Sequence, residues 1–118
     1  YHKVQVLFVM KILFWNCQGL GNSPTVTTLR HFIVTNKPLL LGIYEPRMSF
    51  CKWKGFKWST LKYSLVSHDA DQGASESLWV LMHDSVSLIS SSHDKQSITL
   101  SAEICGFGMS FKFVYALN

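Results

Sequence analysis

A layered α/β domain is the fold class this sequence predicts, and the order of its segments is the main reason. An apolar run, a cluster of loop formers, a stretch with helical spacing and a second apolar run follow one another up to Tyr44. After that, short β-rich runs recur at hairpin-like intervals, separated by His/Asp/Gly/Ser turns. Composition agrees: 118 residues, 47% hydrophobic and 15% charged, suffice for one small domain with a core and exclude a disordered or collagen-like chain.

The first element is the run MKILFW at 10–15, apolar, partly β-branched and aromatic, which stops at the loop formers of 16–22. Ser23 can cap a helix whose first residue is Pro24, where the missing N–H costs nothing, and Val26, Leu29 and Ile33 recur at helical spacing. Lys37 precedes Pro38, which disfavours helical geometry, so the helix should end near Asn36. The run at 39–44 has strand length and no alternation, as suits a strand covered on both faces. Phe50, Trp53, Phe56 and Trp58 interleave with Lys52, Lys54 and Lys57 in a segment read as loop or weak helix. Antiparallel strands are expected around 62–67, 78–82, 86–90, 97–104 and 110–115, with a turn at 92–95. In the fourth of these Ile98, Leu100, Ala102 and Ile104 alternate with Thr99, Ser101 and Glu103, giving one buried and one wet face. No internal repeat and no domain boundary emerges.

A formal charge of +4 is compatible with a polyanionic partner without requiring one. An aromatic content of 14% is rich for so small a globule and suggests a piece of something larger. Cys17, Cys51 and Cys105 form an odd set without paired spacing, which indicates neither a disulfide framework nor a structural zinc site and makes a reducing intracellular setting the default. The apolar stretch from Val4 to Trp15 is interrupted by Gln5 and Lys11, too short to span a bilayer as a helix, and not followed by a cleavage site.

Asn16 follows the first strand and Glu45 the second. If those strands form a parallel pair, both side chains emerge at the edge where α/β sheets place their sites. An amide oxygen and a carboxylate converging there could hold a hard cation such as Mg²⁺, which keeps waters for a phosphate substrate. The alternative is that Asn16 caps a turn and Glu45 is solvated. Gly19-Leu20-Gly21 lacks the third glycine of a dinucleotide loop, which Pro24 replaces, and reads as a turn. His68-Asp69, His83-Asp84 and His93-Asp94 are adjacent pairs whose side chains diverge on an extended chain, so they read as turn residues. Cys17 has no basic partner and reads as a small hydrophobe. Lys52, Lys54 and Lys57, with the intervening aromatics, could contact nucleic acid by stacking and pairing, or edge the core as solvated lysines.

The stretch from Met10 to Asn22, the Pro-led helix, Lys37-Pro38, the apolar strand and Tyr44-Glu45-Pro46 together resemble the opening of an endonuclease/exonuclease/phosphatase (EEP) domain. The resemblance is closest to the endonuclease of plant LINE-type (non-LTR) retrotransposons. It continues through Leu78-Trp79-Val80-Leu81 and Ile98-Thr99-Leu100 to Phe113-Val114-Tyr115-Ala116, so it covers residues 10–118 and leaves 1–9 as an extension. It implies a DNase I-like four-layered α/β sandwich, of which this chain is the N-terminal half: a mixed sheet with at least one covering helix. Roughly one sheet is expected here, with an apolar face left open for self-association.

The resemblance further implies that Glu45 is the principal ligand of Mg²⁺ (or Mn²⁺), that Asn16 contacts the phosphate environment, and that Tyr115 closes on the phosphate. DNA is the implied partner, with no membrane, and the implied place is intracellular, nuclear for an active retrotransposon endonuclease. The implied activity is Mg²⁺-dependent DNA nicking. The family's water-activating aspartate, its neighbouring asparagine and its late Asp/His pair match positions beyond Asn118, so the residues given are expected to be inactive. A non-catalytic, nucleic-acid-binding remnant and a phosphatase of the same superfamily are the alternatives. Two departures from the family pattern are Glu76-Ser77, where a glycine pair is usual, and Pro46 directly after Glu45.

Overall fold

Alternating and continuous apolar runs become strands, and the Pro-led stretch becomes a helix. The computed structural model describes residues 11–17, 19–68, 78–94 and 97–114; the extension at 1–9, Glu76-Ser77 and Tyr115 lie outside these. The elements are β1 (Ile12–Asn16), α1 (Ser23–Asn36), β2 (Leu40–Tyr44), β3 (Tyr63–His68), β4 (Leu78–His83), β5 (Ser87–His93), β6 (Ser97–Ile104) and β7 (Phe107–Val114). Short 3₁₀ turns at Phe50–Lys52 and Trp58–Leu61 lie between β2 and β3.

The helix keeps its expected span, but its cap is one residue earlier than expected. Asn22, not Ser23, sits in extended backbone, and its side-chain oxygen accepts from the Thr25 N–H at 2.9 Å. Lys37 ends the helix in the left-handed conformation, its N–H bonded to the Ile33 carbonyl. Leu29 and Ile33 are the residues that α1 buries.

The first sheet has the order β1-β2-β4-β3, with β1 and β2 parallel and the other pairs antiparallel. In β2 and β4 all residues before the last are buried, which is why neither run alternates. One face of this sheet, with Leu41, Ile43, Trp79 and Leu81, packs on α1 and on the segment carrying Trp53 and Trp58. The other face, with Leu40, Leu78, Val80 and Met82, packs on Ile98, Leu100, Ala102, Ile104 and Phe113.

Those last residues belong to a second sheet of order β5-β6-β7, and here the expectation of a single sheet fails. Only residues 84–86 separate β4 from β5, a hairpin-like interval, yet the two strands lie in different sheets. Val86, 4% exposed, turns into the space between the sheets, and the chain crosses at that point. Alternation along β6 is as expected, but its buried side faces the first sheet. Both faces of the first sheet are therefore covered. The large apolar side chains left in solvent are instead scattered, among them Phe14, Ile89, Phe107 and Val114.

Other boundaries shift modestly. β5 runs on through His93, into the turn expected at 92–95, and Oδ1 of Asp94 accepts from the Ser97 N–H at 2.8 Å. β7 begins at Phe107 rather than at 110.

Candidate functional site

β1 and β2 are parallel neighbours, with Asn16 opposite Tyr44, so the residues that follow both strands leave the sheet at one edge. Their backbones stay paired beyond the strands. The N–H of Cys17 donates to the Tyr44 carbonyl at 3.1 Å, that of Gly19 to Glu45 at 2.7 Å, and that of Leu20 to Pro46 at 3.0 Å. Gly19 adopts φ 109°, a conformation open to glycine, and this lets the first loop turn while remaining hydrogen-bonded to the second. Asn16 and Glu45 thus stand at adjoining strand ends as the sequence suggested, held by backbone rather than by flexible side chains.

The second loop is bent sharply. Glu45 and Arg47 have φ of 53° and 59°, left-handed values that non-glycine residues adopt at a cost of roughly 1–2 kcal/mol each. Pro46 between them is buried. The result turns the Glu45 side chain out of the sheet. Its carboxylate lies 3.8 Å from the Arg47 guanidinium, a long contact between side chains that are 47% and 64% exposed, which leaves carboxylate oxygens open to solvent.

The second sheet reaches the same edge. The Tyr44 hydroxyl donates to the Val114 carbonyl at 3.0 Å, and the Phe14 and Phe113 rings lie 5.0 Å apart. Val114 is the last described residue of β7, and Tyr115, the family-implied phosphate contact, lies outside the described residues. Tyr44 and Arg47 were not singled out from sequence. Tyr44 precedes the expected site carboxylate at the end of a buried strand, and that position was the available signal.

Cys17 is half-buried, and its thiol reaches the carbonyls of Tyr44 and Glu45, each at 3.4 Å. Burial pushes its pKa up, and the Glu45 carboxylate adds to this against the opposing backbone N–H groups and Arg47. The group is a protonated donor that helps splice the two loops, not a nucleophile.

Lys52, Lys54 and Lys57 are exposed. The aromatics between them are not available for base stacking, because they form part of the core: Phe56 lies 4.7 Å from both Trp53 and Trp58, and Phe50 lies 5.0 Å from Trp79. His83 and His93 end strands rather than occupying turns. Among the described residues no three His, Cys, Asp or Glu side chains gather into a metal-binding group. Among the described residues the edge offers the Glu45 carboxylate and the Asn16 amide. That set fits an oxygen-seeking Mg²⁺ that retains most of its waters, and does not fit zinc.

Two sheets packed face to face, with a helix layer outside the first, make this chain a partial DNase I-like α/β sandwich. Solved structures share the arrangement. TDP2 from D. rerio, humanized by 14 mutations, is 13% identical with a TM-score of 0.64, over 87% of this chain and 45% of that one. TDP2 from C. elegans is 14% identical with a TM-score of 0.62, over 84% of this chain and 33% of that one. The chain thus spans less than half the length of these structures. No family model and no curated protein matches the sequence.

Proposed function

We propose that this chain is the metal-ligand half of a Mg²⁺-dependent, DNA-nicking phosphodiesterase domain of the EEP superfamily, of the kind found in plant LINE-type retrotransposons. The observation that carries the reading is the spliced pair of loops after β1 and β2, which fixes Asn16 beside the Glu45 segment at the carboxyl edge of a DNase I-like sandwich. The retrotransposon assignment rests on the sequence resemblance from Met10 to Glu45.

In this reading Glu45 supplies the carboxylate for Mg²⁺ or Mn²⁺, and the Asn16 amide orients a phosphate oxygen beside it. The metal, when bound, stabilises charge developing on the phosphoryl oxygens. Arg47 holds Glu45 loosely and provides a second positive charge at the same edge. The resemblance assigns Tyr115 to the phosphate, and Tyr44 anchors Val114 of β7 at this edge. In this reading these residues hold the metal, and the resemblance assigns the water-activating base to none of them. DNA is the partner, with the exposed Lys52, Lys54 and Lys57 as sequence-independent phosphate contacts, and the setting is nuclear.

The test has two readouts on the same material. Mn²⁺ binding followed by electron paramagnetic resonance should be present in the parent and lost in Glu45→Gln; binding equal in both would overturn the metal assignment. Nicking of supercoiled plasmid with Mg²⁺ should be absent from the parent and from Glu45→Ala; nicking by the parent that vanishes in the variant would show that these residues complete a working site.

A further inference from the structure

The sheet edge opposite Asn16 and Glu45 carries a second constellation. A cavity of about 370 Å³ opens there between the end of α1, the Trp58–Leu61 turn and the adjoining ends of β3 and β4. Its floor is apolar, with Ile33 and Tyr63 buried and Leu61 partly so, while Lys37, Lys62 and His83 stand around it. The lining contains no carboxylate, and among the described residues neither lysine has an ion-pair partner.

The positions of these groups are set by backbone. Lys37 and Lys62 each terminate a helical turn in the left-handed conformation, with φ of 46° and 65°. The Lys37 N–H donates to Ile33, the His83 N–H to Leu39 and the Asp84 N–H to Lys62, all at 2.9 Å. The buried Tyr63 hydroxyl donates to the Pro38 carbonyl, which joins the start of β3 to the segment after Lys37. Nδ1 of His83 accepts the Ser85 N–H at 3.1 Å, which leaves Nε2 as the ring nitrogen that can donate. Two ammonium groups and an imidazole N–H, without a compensating carboxylate, above an apolar floor, make a site complementary to a compact anion attached to an apolar body.

We infer that the cavity bounded by Lys37, Lys62 and His83 binds a small organic phosphate monoester, its phosphoryl group between the two lysines and its apolar part against Ile33, Leu61 and Tyr63. Phosphate is favoured over a monoanion because two point-like ammonium charges match a dianion. The site is separate from the Asn16 and Glu45 edge and does not depend on the function proposed for that edge.

The experiment is calorimetric titration of the full chain with phenyl phosphate, inorganic phosphate and benzyl alcohol, with a chelator present so that no metal takes part. Variants carry Lys37→Asn and Lys62→Asn together, since asparagine removes the charge and tolerates left-handed backbone. Lys112→Asn, on exposed β7 backbone, matches the charge change of Lys62→Asn alone, and the double variant removes one charge more. Phenyl phosphate should bind saturably at one site, at least about fivefold more tightly than either fragment alone, and about five- to tenfold more weakly in the double variant than in Lys112→Asn. No saturable binding, equal loss in Lys112→Asn, or inorganic phosphate binding as tightly as phenyl phosphate would each overturn the inference. Thermal melting of every variant identifies a folding defect, and should the double variant prove unfolded, Lys62→Asn alone must then show the weakening.

Discussion

Replacing Gly42 by alanine probes the contact that seats the second sheet on the first. An added Cβ would stand 2.9 Å from Cδ1 and 3.1 Å from Cε1 of Phe113, and 3.3 Å from Cδ1 of Phe14. Phe113 is 1% exposed and lies against Phe14, so its ring has little room to retreat. Forcing a methyl group into such a contact costs about 1–3 kcal/mol, and the lost backbone freedom of the unfolded chain returns about 0.4–1 kcal/mol. The net expectation is a loss of about 1–2 kcal/mol, a fall of roughly 0.5–1 M in the urea midpoint if the slope lies near 2 kcal/mol/M. Shrinking the ring should relieve the clash. Gly42→Ala combined with Phe113→Leu should therefore be less destabilised than the sum of the single changes, with a coupling of about 0.5 kcal/mol or more. A neutral or stabilising Gly42→Ala, or strict additivity, would refute the account of how the sheets meet.

Other consequences follow from single side chains. Burial pushes the Tyr63 phenol from its ordinary 10.0 up to about 12, so the stability it contributes is complete below about pH 10 and lost as pH rises towards 12. Tyr63→Phe should flatten that alkaline limb in urea titrations at several pH values; an unchanged limb would remove Tyr63 as its cause. Asn22→Ala deletes the cap of α1 and should cost about 1 kcal/mol in the same assay, whereas Ser23→Ala should be near neutral; the reverse order would move the cap back to Ser23. Cys51 and Cys105 are exposed, whereas Cys17 is half-buried with its thiol pKa raised. A disulfide reagent near pH 8 should modify the first two quickly and Cys17 slowly, and peptide mapping of the products that placed Cys17 among the fast sites would contradict the burial argument.

Trp53 and Trp58 show how burial escapes local reading. Lys52, Trp53, Lys54 and Lys57, Trp58 have the same local composition whether the indoles face nucleic acid or a core, and the decision falls to Trp79 on β4, to which Trp53 packs at 5.9 Å. Glu45 is similar. Its place after β2 was legible, but the left-handed turn around Pro46 and the approach of Arg47 arise from the loop splice to Gly19 and Leu20, which joins segments far apart in sequence. The tie from Tyr44 to Val114 spans 70 residues and leaves no trace in the neighbourhood of either residue.

By itself the sequence determined the β1-α1-β2 unit and the end of α1 before Pro38, and it placed Asn16 and the Glu45 segment at one edge on the condition that β1 and β2 pair in parallel. Those features rest on signals contained within a few residues: apolar period, a proline that fixes its own and its neighbour's backbone, and the parallel geometry that a strand-helix-strand order imposes. Only the tertiary structure decided that β5, β6 and β7 form their own sheet. An alternating strand records that one side is buried and not what buries it, so a neighbouring hairpin and an opposing sheet are written alike, and the choice is made by packing across the whole chain.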